Sequence, residues 1–332
     1  MRRLLALTLI ALLAIGLVGF AQAGTRTNPI KMVLVPSTVG ATILEVGQKI
    51  AEQLYLLTGL YIEAILQPDY AAMVETFATA DGDVFGFPAS VQYLSIFERT
   101  NGGVSVRLAS VRYGSPVYQA GIYSRRDSGI ASAADCDGKR WMATDELSTS
   151  GNVIPSTIFE ALGVVPSEKV FNGSHPAALT ALVEGQGDFA TCFFSPPRPP
   201  AGIDDSWEMG DDPERWLWDA ANNQVYPESE RGVLKDVRGQ VLDIYGFDKL
   251  VGEFTVFMVG GDIPNDCVAF APGFPKIVED SLVDAIKYMF TTEEGVALWN
   301  DPQFYEWTAV TEIDDSFYDG LRAEIGMPIP ER

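Results

Sequence analysis

A single histidine, three scattered cysteines and a shortage of positive charge set the first limits on this chain of 332 residues. His175 stands alone, and Cys136, Cys192 and Cys267 lie far apart with no Cys-x-x-Cys spacing. Such a set cannot supply the usual three or four zinc ligands, so neither metal nor cofactor is expected. With 23 basic against 45 acidic residues the formal charge is −22, a surface that repels nucleic acid and anionic lipid. Any anion must therefore be held by local donors. No Gly-x-Ser-x-Gly pentapeptide occurs, which leaves a secreted serine hydrolase, the rival reading from another class, without its strained nucleophile turn. Gly185-Gln186-Gly187 mimics a dinucleotide loop but precedes a strand instead of opening a helix.

Only one long apolar run is present, Leu4 to Phe20, after Met1-Arg2-Arg3 and before Ala21-Gln22-Ala23. It reads as a signal peptide over 1–23, cleaved before Gly24 and exporting the chain to the periplasm or another extracytoplasmic space. The alternative is an uncleaved anchor, for which the run sits at the short limit of roughly 17–25 residues. In an exported protein two of the cysteines could pair, or all three could be buried thiols.

What remains is 47% hydrophobic and 20% charged, a globular composition with length enough for two lobes. Lys31 to Val35 reads as a strand, Thr42 to Leu57 as an amphipathic helix stopped at Gly59, and Tyr61 to Leu66 as a second strand. Asp69-Tyr70 opens a helix through Phe77, and Asp83 to Phe87 is a third strand. This alternation predicts an α/β fold with mostly parallel sheets flanked by helices. Ligands of such sheets sit beyond the carboxyl ends of the strands, which picks out Ser37, Thr38, Tyr70, Ser90 and Tyr93 as rim candidates.

Extended stretches at Val104–Val111 and Tyr118–Ser124 carry the chain into a second α/β run from Lys139 to Thr191. The segment 195–218 breaks the rhythm, with Pro196-Pro197-Arg198-Pro199-Pro200, an acidic turn-rich part, and Trp207, Trp216 and Trp218, which either lid a cleft or pack on a lobe. Val233 to Ile244 is a further helix candidate. Extended segments at Thr255–Val259 and Ile263–Phe270 follow, the second returning to the first lobe, where Ile277–Phe290 and Glu293–Trp299 add helices. The division expected is 24–117 with 264–332 as one lobe and 118–263 as the other.

The chemistry gathers at Ser148-Thr149-Ser150-Gly151. A strand, Lys139 to Thr144, precedes it, and Val153, Ile154, Ile158, Ala161 and Leu162 follow at helical spacing until Gly163. These hydroxyls therefore sit at a helix N-terminus, where unpaired amides and roughly half a positive charge favour an anion. The plain alternative is a simple N-cap, for which one hydroxyl would suffice. His175, in Gly173-Ser174-His175-Pro176, falls at a neighbouring strand-to-helix turn, either as a capping side chain or as a donor to the same anion. Asp145 and Glu146 would repel an anion if they faced inward without capping an amide.

Taken in order, Tyr123-Ser124, Asp127-Ser128-Gly129-Ile130, Asp135-Cys136-Asp137-Gly138-Lys139, Ser148-Thr149-Ser150-Gly151, Gly173-Ser174-His175, Gly187-Asp188 and Ile263-Pro264-Asn265-Asp266 resemble the phosphate/phosphite/phosphonate-binding proteins of ABC transporters. The resemblance implies a two-lobed periplasmic-binding-protein fold of the second topological type, a monomer that delivers a small oxyanion to an ABC permease and catalyses nothing. It also implies that Ser148, Thr149, Ser150 and His175 hold the phosphorus head, with Tyr70 and an aromatic near Tyr118 closing the cleft. Relatives that take an aminoalkylphosphonate are expected to place a carboxylate shortly after the Gly187-Asp188 strand. Cys192-Phe193-Phe194-Ser195 stands there instead, so phosphate, phosphite or a phosphonate with an apolar tail fits these residues better. A receptor of the same fold for a sulfonate or pyrimidine, and a sensor domain, remain alternatives. Micromolar binding needs about 8 kcal/mol, and hydrogen bonds to a charged group give roughly 1.5–3 kcal/mol each, so four to six neutral donors suffice without Lys or Arg.

Overall fold

The computed structural model describes residues 23–37, 40–226, 233–302 and 304–332; the leader up to residue 22 and the rim candidate Thr38 lie outside the described residues. The chain begins β1 (Ile30–Leu34), α1 (Gly40–Thr58), β2 (Ile62–Leu66), α2 (Tyr70–Ala78), β3 (Val84–Gly86), α3 (Ser90–Arg99) and β4 (Ser105–Val111). In α1 the residues Ile43, Val46, Ile50 and Leu54 recur every three or four positions and are all buried, and Gly59, at φ 73°, ends the helix. Asp69 starts α2 by accepting the Ala72 amide at 2.7 Å.

A two-residue turn at Tyr113-Gly114 leads into β5 (Val117–Arg125). The second alternation is β6 (Arg140–Ala143), a wide helical turn Thr149–Val153 continuing as α4 (Ile154–Leu162), β7 (Glu168–Phe171), α5 (His175–Val183) and β8 (Phe189–Phe194). A small hairpin, β9 (Trp218–Asp219) with β10 (Gln224–Val225), and short helices α6 (Leu242–Tyr245) and α7 (Phe247–Gly252) precede β11 (Phe254–Val259), β12 (Ile263–Pro264) and β13 (Cys267–Phe270). The chain ends with α8 (Lys276–Met289), α9 (Glu293–Trp299), β14 (Ala309–Glu312) and α10 (Asp319–Glu324).

Apart from the β9-β10 hairpin, the strands of the described residues form two sheets, in the orders β14-β4-β13-β3-β1-β2 and β11-β5-β8-β6-β7, with β12 beside β5. The expected parallel pairing holds where strand and helix alternate, in β2-β1-β3 and β7-β6-β8. Elsewhere the sheets are mixed, because β5 and β13, which receive the chain as it passes between lobes, enter antiparallel to their neighbours. The two crossings lie side by side. β12 pairs Ile263 and Pro264 with Tyr118 and Val117, and fully buried Asn265 donates its side-chain amide to the Ser110 and Ser115 carbonyls at 3.1 and 2.9 Å.

Strand alternation sorts the second lobe's core into two faces. Tyr123, Met142 and Ala190 pack on one side, while their neighbours Ile122, Trp141 and Phe189 pack on the other. One larger core fills the first lobe, and Ile154 from the start of α4 joins it across the cleft. Cys136, Cys192 and Cys267 are all free and buried.

The 195–218 excursion packs on its own lobe. Trp216 and Leu217 enter the core, Trp207 meets Phe194 at 5.7 Å, and the Arg126 guanidinium lies 3.9 Å over the Trp218 ring. Val233–Ile244 departs from the single helix expected. Asp236 caps a tight turn over Val237–Val241 and pairs with fully buried Arg238 at 2.7 Å, and Arg238 reaches Glu214 of the excursion at 2.7 Å. Glu214 also pairs with Arg126. Turning both charges inward to one partner set is incompatible with a regular helix there. Removing one member strands buried charge, so Glu214→Ala should lower the unfolding free energy by about 3–5 kcal/mol in urea denaturation.

Candidate ligand-binding site

Between the lobes lies a cavity of about 70 Å³. Its second-lobe wall starts where β6 ends. Asp145 accepts the Leu147 amide at 2.9 Å, so it caps an amide of its own turn; burial, with Asp69 nearby, raises its pKa. Ser148 then caps the next turn, its Oγ accepting the Gly151 amide at 3.2 Å.

The Ser148 carbonyl accepts from both Asn152 and Val153 at 3.0 Å, which opens the first turn to π-helical width. Side chains behind it hold it open. Trp141 Nε1 donates to Thr191 Oγ1 at 2.7 Å, and Thr191 donates to the Gly151 carbonyl at 2.6 Å. A Cβ on Gly151 would stand 1.8 Å from Thr144 Oγ1. Ser148 and Thr149 line the cavity. Gly151 does not; its amide is taken by Ser148 and its lack of a side chain lets the turn seat on Thr144. Ser150 is fully buried beneath the wall, its hydroxyl against Tyr118 with no partner of hydrogen-bonding geometry.

His175 opens α5 on the same wall, capped by Ser174. The Phe193 amide donates to its Nδ1 at 3.3 Å, which assigns the proton to Nε2 and makes that nitrogen a donor. Burial, helped by the charge of Arg112, pushes its pKa down to about 3, so the ring is neutral at physiological pH.

The opposite wall carries Ser37, Tyr70 and a residue the sequence reading passed over, Arg112, with Tyr118 at the crossing beside them. Burial pushes the Tyr118 hydroxyl up to about 12, with Asp266 adding to the shift, so it stays a protonated donor. Arg112 sits in the turn between β4 and β5, donates Nε to the Tyr305 carbonyl at 2.6 Å and pairs with Asp266. Burial works against its charge, yet the Asp266 partner leaves its pKa raised. The one signal for it was its place at the crossing, since the expectation of neutral donors directed attention to hydroxyls.

Two rim candidates fall away. Ser90 is buried and donates to the Pro264 carbonyl, tying α3 to the crossing strands, and Tyr93 donates to Asp315 at 2.8 Å within the first lobe. Their helix does reach the site, because Thr149 Oγ1 accepts the Val91 amide at 3.0 Å.

A model of the family described as ABC transporter, phosphonate, periplasmic substrate-binding protein matches residues 32–318. The chain belongs to that family. It is therefore a substrate-binding component of the transport kind, acting outside the cytoplasm alongside ABC permeases. Solved structures share its two-lobed fold of the second topological type. A binding-protein component of an ABC phosphonate transporter from Pseudomonas aeruginosa is 16% identical, with a TM-score of 0.66 over 89% of this chain and 84% of that one. PhnD1 from Prochlorococcus marinus, solved with methylphosphonate, is 14% identical, with a TM-score of 0.62 over 90% and 96%. A Xanthomonas citri protein solved with ATP is 15% identical, with a TM-score of 0.60 over 90% and 96%.

In this family member the donor wall rests on two features with separate readouts. Gly151→Ala should overpack the turn and cost at least about 1–3 kcal/mol in chemical denaturation. His175 is harder to protonate folded than unfolded, so its contribution is complete above about 6.5 and is lost as pH falls towards about 3. The melting temperature of the unliganded protein should fall across that window, and His175→Gln should remove part of the fall in a calorimetric pH series.

Proposed function

We propose that the chain captures phosphate, phosphite or a phosphonate in the interlobe cleft and hands it, enclosed, to an ABC permease. The observation that carries this reading is the convergence of neutral donors from Ser148, Thr149, Tyr118 and His175 Nε2 on one small cavity facing Arg112. At roughly 10–15 Å³ per water, such a cavity holds about five to seven water-sized centres, the scale of a tetrahedral oxyanion with at most a short substituent. Ser148, Thr149 and His175 are the head-binding group in this reading, Ser150 lies behind them against Tyr118, and Tyr70, Tyr118 and Ser37 complete the enclosure.

The moving bodies are 24–117 with 264–332 and 118–263, pivoting where β5 and β12 run side by side. Residues 1–23 act as the leader, the mature protein works as a monomer, and its acidic surface keeps nucleic acid away. Catalysis is disfavoured by the same geometry. A hydrolase needs an imidazole that takes a proton from serine, whereas His175 accepts a backbone amide on Nδ1, carries its proton on Nε2 and resists a second.

Thermal shift against phosphate, phosphite, methylphosphonate, aminoethylphosphonate and taurine tests the reading. A phosphorus oxyanion should stabilise the protein, and stabilisation by taurine alone would reject it in favour of a sulfonate receptor. Ser148→Ala and Thr149→Ala should each weaken the bound oxyanion about 10- to 150-fold in titration calorimetry, as expected for one hydrogen bond to a charged group.

A further inference from the structure

The head cavity does not end at its lobe walls. A second cavity of about 370 Å³ adjoins it, and Tyr113, Gln240 and Glu306 line both. Three features mark this junction. First, Glu306 puts a carboxylate on the path of an anionic guest. Its Oε1 accepts the Tyr113 hydroxyl at 2.7 Å, while a carboxylate offers about four acceptor sites, so accepting capacity remains. Second, Gln240 Oε1 is buried with no hydrogen-bond partner among the described residues, a state that favours filling by a donor. Third, Tyr113 and Glu306 are both left-handed, at φ 52° and 53°, a conformation that disfavours side chains and persists where the surroundings impose it. Tyr113 occupies it in a two-residue turn where Asn, Asp or Gly is the usual choice, and that turn carries its ring into the cleft beside Arg112.

Lys235 and Arg112 lie within electrostatic reach of Glu306, but among the described residues no ion pair occupies its oxygens. Lys235 and Arg198 lie 4.9 and 5.5 Å from the centre of the Tyr113 ring and hold it from the second lobe. Asp266, the other carboxylate in the wall, is occupied by Arg112. A bare oxyanion gains no hydrogen bond from Glu306, whereas a substituent that donates one meets two acceptor oxygens.

We propose that the solute is a phosphorus oxyanion whose substituent ends in a hydrogen-bond donor, an ammonium or a hydroxyl, and that Glu306 and Gln240 select for that end. This rests on the phosphorus-oxyanion reading above and replaces the apolar tail expected from Cys192–Ser195, because the carboxylate arrives from the other lobe.

Titration calorimetry of the full mature chain with methylphosphonate, 2-hydroxyethylphosphonate and 2-aminoethylphosphonate tests it. At least one donor-tailed ligand should bind tenfold or more tightly than methylphosphonate, and which one does so distinguishes hydroxyl from ammonium. Glu306→Gln, which keeps an acceptor for Tyr113, and Gln240→Leu should each reduce that preference at least threefold while changing methylphosphonate affinity less than threefold. Methylphosphonate binding as tightly as both tailed ligands, or both variants weakening all three equally, overturns the inference. Should none of the three bind to folded wild-type protein while phosphate or phosphite does, this inference fails and the functional reading stands; should all five fail to bind, both are rejected.

Discussion

The Thr149 hydroxyl accepts the Val91 amide across the cleft, and much of the site depends on that contact. Thr149 belongs to the wide turn that opens α4, and Val91 to the first turn of α3, where amides have no carbonyl one turn earlier to accept them. One side chain thus satisfies an orphan donor of the first lobe and still has its own proton to give. A helix start of one lobe is thus capped by a side chain of the other.

The electrostatics follow from how little net charge the cup contains. A chain with a formal charge of −22 holds its candidate anion site with hydroxyls, a neutral imidazole and one arginine already balanced by Asp266. Screening limits the reach of the acidic surface to about 8–10 Å at physiological salt, while buried donors act at contact distance. Burial, with the positive field of Arg112 beside it, keeps His175 unprotonated. Keeping that ring neutral fixes which nitrogen donates.

The same economy of burial explains the excursion. Its Trp216 and Leu217 enter the core and its Glu214 closes a buried set with Arg126, Arg238 and Asp236. A segment that breaks the strand-helix rhythm is therefore anchored by charge as much as by apolar contact. Its Arg198 reaches the Tyr113 ring at the junction of the two cavities.

Local pattern was enough for most of the elements. The spacing of Ile43, Val46, Ile50 and Leu54 specifies α1, Asp69 and Gly163 mark where α2 starts and α4 stops, and clustered hydroxyls after a strand place the cup, because these signals act over one or two turns of chain. What the sequence could not convey depends on partners far along the chain. Arg112 enters the site only because β4 and β5 meet β12 and β13 at the crossing, and Ser90 and Tyr93 leave it because Pro264 and Asp315 occupy their hydroxyls. Gly151 shifts from donor to spacer because Thr144 lies behind it. The Val237–Val241 turn takes the place of a helix because Glu214, more than twenty residues earlier, claims Arg238. Short-range hydrogen bonding and periodic burial are written in neighbouring residues; the direction of a side chain into a cleft is decided only when separate segments close around it.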